Sequence, residues 1–481
     1  MIIVETTPNR TDDKGNRHDG QRAGLHEGSS TNTSGSLPPP PYTSQTSYQP
    51  ITDVVVVVYR QSPAQRFWKA FGVAVLIWFL VAAFTTSSTD MAFNHVSRLF
   101  LDNHCVQSSN GEPSHPGPKD GTVHQCISGS DWESSGQSFN HFPHSAEVFL
   151  ELPVDSDILY LFTKGSQAGH VEIEQSDQPT DKVSVHVRVG YHTREALRGV
   201  NVYRLERKTR ENGVGIYAPT LSYLFGHGQQ LKFEVKIMLP AGKDGDALHI
   251  KAFETNTSNY SQDVAHIWET TSFDRISLRT SNGHINAKSV TAENGLICSS
   301  NGGINGHFNI ASSLELVTSN APITASVALL NRENETASKL KMLTSNGKIN
   351  ANVDLVTHSG HGGSFKVETH TSNAPVTFEY TDMPVNSSLN SRIGSSNAAV
   401  NVKLYSTFEG SFNMATSNGK AILEKLTVED PSGQGRHRQV TVTQRPREQN
   451  RLEGSAYWSE SKEANGHSTV NTSNGHVKLV I

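Results

Sequence analysis

Cysteine, aromatic side chains and an excess of either charge are scarce in this sequence. Of its 481 residues, 3 are Cys and 7% are aromatic, while 41 Lys and Arg stand against 46 Asp and Glu. The formal net charge of −5 shows no basic bias, so nucleic acid is not an expected partner. A chain of this length can hold two or three domains, and its 38 Gly are typical of a turn-rich β protein.

Sequence signatures of catalysis are also absent. No Gly-x-Ser-x-Gly elbow, His-Glu-x-x-His pair or phosphate-binding loop occurs, and the 22 His are scattered. Polysaccharide-degrading β-helices depend on charged residues clustered on one face, but carboxylates such as Asp274, Glu315 and Asp354 do not recur at one position of a repeat. We therefore predict no catalytic residue, cofactor or metal site. A carbohydrate-active enzyme is the least favoured alternative.

Long hydrophobic runs are absent apart from one near the N-terminus. From Ala70 to Thr86 the sequence carries no charge, and about 20 apolar residues suffice to cross a bilayer. We predict a transmembrane helix at residues 66–87. Basic residues precede this run and Asp90 follows it, so the positive-inside rule places the N-terminus in the cytosol. The prediction is a single-pass type II protein of the plasma membrane or secretory pathway.

The region before this run is polar. It is rich in Ser, Thr, Gly, Pro, Asn and Gln, a composition that cannot bury enough surface to offset the entropy of ordering. Residues 1–65 are therefore predicted to be a disordered cytosolic tail. Within it, Pro39, Pro40 and Tyr42 form the Pro-Pro-x-Tyr motif that WW domains bind. A WW-domain protein is a candidate partner, and a plain linker is the alternative.

A four-residue phrase recurs eight times in the C-terminal half: Thr or Ser, then Ser, Asn, and Gly or Ala. Its first seven copies are 19, 19, 26, 27, 24 and 21 residues apart, and a gap of 56 residues precedes the last. Periods of roughly 20–50 residues are typical of stacked repeat architectures. The copies centre on Asn282, Asn301, Asn320, Asn346, Asn373, Asn397, Asn418 and Asn474.

Apolar and polar residues alternate after each phrase, as in Ile349-Asn350-Ala351. A period of two is typical of a strand with one buried face. Because Asn and Gly tolerate positive φ, we predict that each unit is a strand, a tight turn with a left-handed Asn or Gly, and a second strand. Stacked units would align the Asn side chains in a hydrogen-bonded column. The predicted fold class for residues 256–481 is all-β, either a β-solenoid or stacked β-hairpin repeats.

Three segments carry a family resemblance. Gly283-His284-Ile285-Asn286, Gly303-Ile304-Asn305 and Gly347-Lys348-Ile349-Asn350 resemble the bacterial and fungal putative-adhesin domains, including those named head-GIN domains. The resemblance covers residues 232–481. It implies a β-solenoid on a membrane-tethered or secreted protein and brings no catalytic residues with it. The polar tail and the Asn-x-Ser/Thr sequons indicate a fungal-type membrane protein.

Two further regions are predicted between the hydrophobic run and the repeats. Residues 88–143 are polar and contain Gly and Pro, which predicts a stalk. Residues 144–255 contain strand-like alternations, which predict either a β-sandwich-like module or an irregular start to the solenoid, and this region is the candidate cap of the repeats. Cys105 and Cys126 flank a loop in the stalk, and a disulfide between them is expected in an oxidising compartment. A metal site with nearby His is the alternative.

Five Asn-x-Ser/Thr sequons lie beyond the hydrophobic run. On the predicted topology all five face the compartment in which N-glycans are added. Asn32 also forms a sequon, but it lies in the predicted cytosolic tail, so we expect it to be unmodified. The five candidate acceptors are Asn256, Asn259, Asn334, Asn386 and Asn471.

Residues 426–466 interrupt the repeats with a charged segment. Loops on one face of a repeat fold often carry its binding site. The arginines of this segment are therefore a candidate patch for acidic polysaccharide or anionic headgroups, and a solvated loop is the alternative. The patch consists of Arg436, Arg438, Arg445 and Arg447.

The leading functional hypothesis is a non-enzymatic, membrane-anchored surface protein that acts in adhesion by binding cell-wall or matrix polysaccharide. One alternative is a scaffold whose repeats serve as a spacer and whose regulation lies in the cytosolic tail. The other is the carbohydrate-active enzyme, which paired acidic residues on one face of the repeats would favour.

Overall fold

The computed structural model describes residues 115–219, 230–332, 336–443, 449–459 and 465–481. The chain divides into two compact units, residues 1–97 and 98–481, and all described residues belong to the second. The predictions outside the described residues concern the tail, the hydrophobic run, the WW-domain motif, Cys105, Asn334, Arg445 and Arg447. Within the described part, no helix is long and apolar enough to cross a membrane.

Nearly all regular structure in these residues is β-strand, which confirms the predicted all-β class. Helix is confined there to α1 (Arg194–Arg198) and one 3-10 turn (Lys243–Gly245). The N-terminal strands are β1 (Thr122–Ser128), β2 (Glu133–Ser134), β3 (His144–Pro153), β4 (Ile158–Lys164), β5 (Ala168–Gln175), β6 (Lys182–Tyr191), β7 (Asn201–Glu206), β8 (Glu211–Tyr217) and β9 (Leu231–Leu239).

The remaining strands belong to the repeats and to the C-terminal end. The repeat strands are β10 (Leu248–Thr257), β11 (Asn259–His266), β12 (Thr271–Thr280), β13 (Ile285–Ser299), β14 (Ile304–Thr318), β15 (Ile323–Asn331), β16 (Ser338–Thr344), β17 (Ile349–Thr357), β18 (Ser364–Thr371), β19 (Val376–Asp382), β20 (Ser388–Ser395) and β21 (Val400–Lys403). The C-terminal strands are β22 (Gly410–Thr416), β23 (Ala421–Glu424), β24 (Gln439–Thr443), β25 (Arg451–Tyr457), β26 (His467–Thr472) and β27 (Val477–Val480).

The strands pair side by side in two long ladders. The order in the first ladder is β2-β3-β6-β9-β5-β11-β13-β14-β15-β17-β19-β21-β27-β23. The order in the second ladder is β1-β7-β8-β4-β10-β12-β13-β14-β16-β18-β20-β26-β22-β25-β24. Pairing is parallel from β9 to β23 in the first ladder and from β8 to β22 in the second. Successive repeats therefore wind in one direction.

The period-two alternation sorts side chains between core and surface. In β17, Ile349, Ala351, Val353 and Leu355 are each at most 4% exposed. Their partners on β15 and β19 stand in register, so buried rows run from strand to strand. These rows belong to one hydrophobic cluster that extends through the repeats. Burial of apolar surface is the main stabilising contribution here, at about 25 cal/mol per Å² removed from water.

The N-terminal strands continue the two ladders. β4 and β5 pair in parallel with β10 and β11, so the ladders already run in parallel before the first predicted repeat. The boundary predicted between residues 255 and 256 falls inside β10. Antiparallel pairs close this end, with β3 on β6 in the first ladder and β1 on β7 in the second.

The C-terminal end departs from chain order. We use the word coil for one passage of the chain through both ladders, strand–turn–strand. Coil 467–480 (β26 and β27) lies between coil 388–403 (β20 and β21) and coil 410–424 (β22 and β23). The segment predicted as an insertion, 426–466, contains the β24–β25 hairpin, and β25 pairs antiparallel with β22.

Candidate functional site

The asparagines of the repeat phrase lie in one column. Each Nδ2 donates to the Oδ1 of the neighbouring coil at 2.6 or 2.7 Å. The order along the column is Asn259, Asn282, Asn301, Asn320, Asn346, Asn373, Asn397, Asn474, Asn418. Asn259 is a ninth member that sequence reasoning missed, because Tyr260 follows it in place of Gly or Ala.

The Thr or Ser that opens each phrase bonds its turn to the neighbouring coil. The Thr344 hydroxyl accepts from Gly347 N–H at 3.1 Å and donates to the Ala321 carbonyl at 3.2 Å. Other copies repeat both bonds, as at Ser299 with Gly302 and Gly283. Because this hydroxyl accepts a bond from its own turn and donates a bond to the neighbouring coil, side chains join the coils in addition to the backbone ladder.

The predicted left-handed turn conformation is wrong. Among the described residues, positive φ outside glycine is confined to Asn140, Arg210 and Asn386, and no glycine of the repeated phrase has positive φ. These glycines are required by close stacking instead. A Cβ on Gly302 would lie 1.7 Å from the Gly283 carbonyl oxygen of the neighbouring coil.

The described sequons differ in their surroundings. Asn256 is exposed on the outer face of β10, and Asn386 is exposed in the connection after β19 with a φ of 61°. Asn471 is exposed in β26 between Gly394 and Ala415. Asn259 differs, because its Nδ2 donates to the Ser166 carbonyl at 2.8 Å and its Oδ1 accepts from the column. A glycan on that nitrogen would compete with both contacts.

The two described arginines of the predicted ligand patch are engaged within the chain. Arg436 donates to both Asp430 carboxylate oxygens, at 3.1 and 2.9 Å, and Arg438 donates to the Phe408 carbonyl at 3.1 Å. Burial lowers the pKa of Arg438 to about 10. These two arginines position the segment before β24 through contacts within the chain. Arg445 and Arg447 lie outside the described residues, and the patch stays a prediction.

The cysteines divide into bonded and free. Cys126 is disulfide-bonded, and Cys298 is free on β13. The pairing with Cys105 stays a prediction. No group of three or more His, Cys, Asp or Glu within the described residues could hold a metal ion.

A groove opens where the repeats are shortest. The intervals from Asn282 to Asn301 and from Asn301 to Asn320 are 19 residues each, whereas 23 residues precede them and 26 follow. In these short coils β13 and β14 run from the first ladder into the second without a separate loop. Longer connections flank them, at 267–270 and 332–337. We name the resulting depression of about 770 Å³ the short-coil notch.

The notch has a mostly apolar lining with a polar rim. Its apolar lining is Trp268, Val290, Phe308, Val327, Ala328, Leu330 and Val356. Its polar lining is His266, Lys288, Ser289, His307, Asn309, Ser326 and Asp354. Trp268 is 41% exposed, which makes it one of the few large apolar side chains that the described surface leaves open.

Hydrogen bonds hold Trp268 in place. Its indole Nε1 donates to His266 Nε2 at 3.0 Å, and its backbone carbonyl accepts from the Thr291 hydroxyl at 2.8 Å. Because His266 Nε2 accepts from the indole, the ring proton of the neutral imidazole lies on Nδ1, 2.8 Å from the Ser289 hydroxyl. An exposed aromatic ring fixed at both its indole and its backbone is preorganised for a ligand.

One pair of carboxylates lies near the notch. Glu172 and Glu174 project from the same side of β5, and Lys236 Nζ is 3.9 and 2.7 Å from them. The hydrogen bond with Glu174 raises the pKa of Glu172, and the hydrogen bond with Lys236 lowers the pKa of Glu174. Sequence reasoning missed this pair, because it precedes the predicted repeats. Only β11 separates β5 from β13, which carries Lys288.

Part of the repeat region matches a domain family. Residues 295–479 match the family described as "Domain of unknown function (DUF7330)". The matched segment begins in β13 and ends in β27, so it includes coil 467–480. No curated protein matches the chain.

Crystal structures of three bacterial proteins are similar to this chain. One is described as a putative cell adhesion protein from Clostridium sporogenes, with 10% identity and a TM-score of 0.18, covering 70% of this chain and 99% of that one. A putative adhesin from Parabacteroides distasonis has 13% identity and a TM-score of 0.27, covering 69% and 96%. A putative adhesin from Bacteroides fragilis has 8% identity and a TM-score of 0.23, covering 69% and 96%.

Proposed function

We propose that this chain is a non-enzymatic surface protein that acts in adhesion by binding polysaccharide in the short-coil notch, on a β-solenoid. The observation that carries the proposal is the exposed, hydrogen-bonded Trp268 at the edge of a groove with apolar walls and a polar rim. A sugar ring offers an apolar C–H face and a hydroxyl edge. An aromatic side chain with neighbouring polar groups is complementary to both.

The shape of the notch favours a polymer over a small molecule. Its lining comes from five first-ladder strands or their ends, β11, β13, β14, β15 and β17, and neighbouring strands are about 4.8 Å apart. The lined strip is therefore roughly 19 Å long. Sites for small ligands enclose most of the ligand surface, whereas this groove lies across successive coils.

The test is binding of the purified chain to isolated wall and matrix polysaccharides. We expect saturable binding, and we expect Trp268→Ala to weaken it about tenfold, which corresponds to about 1.4 kcal/mol. Phe149→Ala is the matched control, because Phe149 is also an exposed aromatic residue, 58% exposed, but lies on β3 away from the notch. Equal losses in the two variants, or no binding to any polysaccharide, would contradict the proposal.

A carbohydrate-active enzyme is the second candidate, and Glu172 with Glu174 is the observation that favours it. A carboxyl with a raised pKa beside an ionised one is the arrangement of a general acid and its partner. Against this role, Lys236 neutralises the pair and both side chains are more than a quarter exposed. We expect no new reducing ends when polysaccharide is incubated with the chain. Release that Glu172→Gln abolishes would establish the enzyme instead.

We also propose the membrane arrangement that the sequence predicts. Its support is the charge-free run inside residues 66–87 with basic residues before it. In this arrangement the notch lies on the extracellular or lumenal side of the membrane. The Pro39, Pro40 and Tyr42 motif lies in the cytosol, where a WW-domain protein would bind it. If the chain binds no polysaccharide, the scaffold alternative gains support, in which the repeats are a spacer and the cytosolic tail carries the regulated interactions.

A further inference from the structure

Coil 467–480 occupies a slot that chain order does not predict. Its strand β26 is bonded in parallel to β20 on one side and β22 on the other. Its strand β27 has the same relation to β21 and β23. Only six residues, 404–409, join coil 388–403 to coil 410–424, yet these two coils are separated by the inserted one.

The inserted coil is fully integrated into the core and the Asn column. Val470, Val477 and Leu479 are each 0% exposed. Asn474 donates to Asn397 at 2.7 Å and accepts from Asn418 at 2.6 Å. If this coil were withdrawn, both neighbours would lose a complete set of ladder bonds. An identical coil from another molecule would restore every one of them.

The coils on either side of the slot also match each other. Asn397 and Asn418 are 21 residues apart, within the 19 to 27 residues that separate directly stacked members of the first seven copies. Coil 410–424 and coil 467–480 carry the same Thr-Ser-Asn-Gly phrase. They also share one register, since Asn390 aligns with His467 and His467 aligns with Ser411. Coil 467–480 is thus held in its slot by the same register that joins successive repeats, and that register is equally open to the last coil of a second copy.

The chain between β25 and the inserted coil is long enough to reach a neighbouring molecule. Trp458 N–H and Ser459 N–H both donate to the Glu409 carboxylate, so residues 460–466 provide the reach to β26, which is at most roughly 25 Å for seven residues. The β24–β25 hairpin can therefore remain on its own β22 while the last coil is placed elsewhere. Exchange of an identical element between protomers is a low-cost route to association, since the contacts that are lost are regained.

We propose that residues 467–481 are exchanged between two copies of this chain, with the coil of each copy filling the slot between coils 388–403 and 410–424 of the other. The partner is a second copy of the chain itself. The proposal rests on the order of the coils and is independent of ligand binding in the short-coil notch. The exchanged pair would display two notches, which would strengthen attachment to a repetitive polymer through avidity.

The test uses two full-length variants with different tags, Asn413→Cys and Thr469→Cys, co-expressed and then treated with a mild oxidant. These positions face each other between β22 and β26, so a disulfide between two differently tagged chains requires exchange. We expect a cross-linked heterodimer at least fivefold more abundant than in a control mixture of Asn413→Cys and Lys339→Cys. Lys339 is on the same ladder, but β18, β20 and β26 separate its strand from β22.

A chain that carries both Asn413→Cys and Thr469→Cys is the positive control for disulfide formation between these two positions. This double variant should form an intramolecular disulfide, which shows that the pair can react. If it does not, Ser411 and His467, whose Oγ and Nδ1 are 2.8 Å apart, provide a second pair for the same experiment. An intramolecular bond together with heterodimer at the level of the control would overturn the proposal.

Discussion

Cys298 lies on the outer side of the second ladder, where its strand neighbours are Arg279 and Val317. Burial raises the pKa of its thiol to about 11, from an ordinary value of 9.0. The thiolate is the reactive form of cysteine, so this environment should protect the residue from alkylation and oxidation. Cys298 is partly buried and behaves as a small apolar side chain in a strand row.

We expect Cys298 to react with iodoacetamide at pH 8 about 100-fold more slowly in the folded chain than in urea, because a rise in pKa from 9 to about 11 lowers the thiolate fraction by that factor. Since the folded state holds the thiol proton more tightly, this group contributes stability below pH 9 that is lost as the pH rises towards 11. Peptide mass spectrometry measures the labelling, and Cys298→Ser identifies the signal. Equal rates in the two states would show that the thiol is accessible.

The turn between β13 and β14 contains two adjacent glycines with different constraints. A Cβ on Gly302 would lie 1.7 Å from the Gly283 carbonyl oxygen, whereas a Cβ on Gly303 would be no closer than 3.4 Å to any atom. Neither glycine has positive φ. At the level of the element, close approach of the neighbouring coil therefore demands glycine at residue 302 and not at residue 303.

We expect Gly302→Ala to lower the free energy of unfolding by about 2–3 kcal/mol, because the backbone of the next coil must move to admit the methyl group. Gly303→Ala is the matched control and should change it by less than about 1 kcal/mol. Chemical denaturation of the two variants, compared with the parent chain, measures the difference. Similar midpoints for both variants would show that the coils can separate locally at little cost.

The C-terminal end of the two ladders is closed by contacts between residues that are far apart in sequence. Asn397 and Asn474 are 77 residues apart and directly bonded. The segment between them also forms coil 410–424 and the β24–β25 hairpin. The pairing at this end of the ladders therefore depends on the last coil. In the middle of each ladder, the paired strands come from repeats that are neighbours in sequence.

Glycan mapping tests how the whole chain is oriented across the membrane. We expect Asn386 to carry a glycan and Asn32 to carry none, since the proposed topology places Asn386 on the lumenal side and Asn32 in the cytosol. Asn259 should be unmodified, because its side chain bonds to both Ser166 and Asn282. Enzymatic deglycosylation in heavy-oxygen water followed by mass spectrometry locates the glycans. A modified Asn32 would reverse the topology, and a glycan on Asn259 would contradict the column at that position.

Local chemistry allowed the repeat to be predicted from sequence alone. The phrase around each Asn and the period-two alternation beside it depend on a few adjacent residues, so strand, turn and buried face follow at positions such as Ile349 and Asn346. The unequal intervals also contained the signal for the short-coil notch, in the two spacings of 19 residues. The short spacings alone do not define a site. The site also requires the connection 267–270, which places Trp268 beside the two short coils.

Other features were decided by tertiary structure, because they depend on which distant segments meet. Asn259 could not be recognised as the ninth member of the Asn column from sequence, because Tyr260 follows it where the phrase has Gly or Ala. The hydrogen bond between Asn259 and Asn282 places it there. Of the arginines predicted as a ligand patch, Arg436 bonds to Asp430 and Arg438 bonds to the Phe408 carbonyl. The order of the last coils has the same origin. Sequence determines that coils 410–424 and 467–480 are both able to stack on coil 388–403, and the return of the chain over the β24–β25 hairpin decides which of them does.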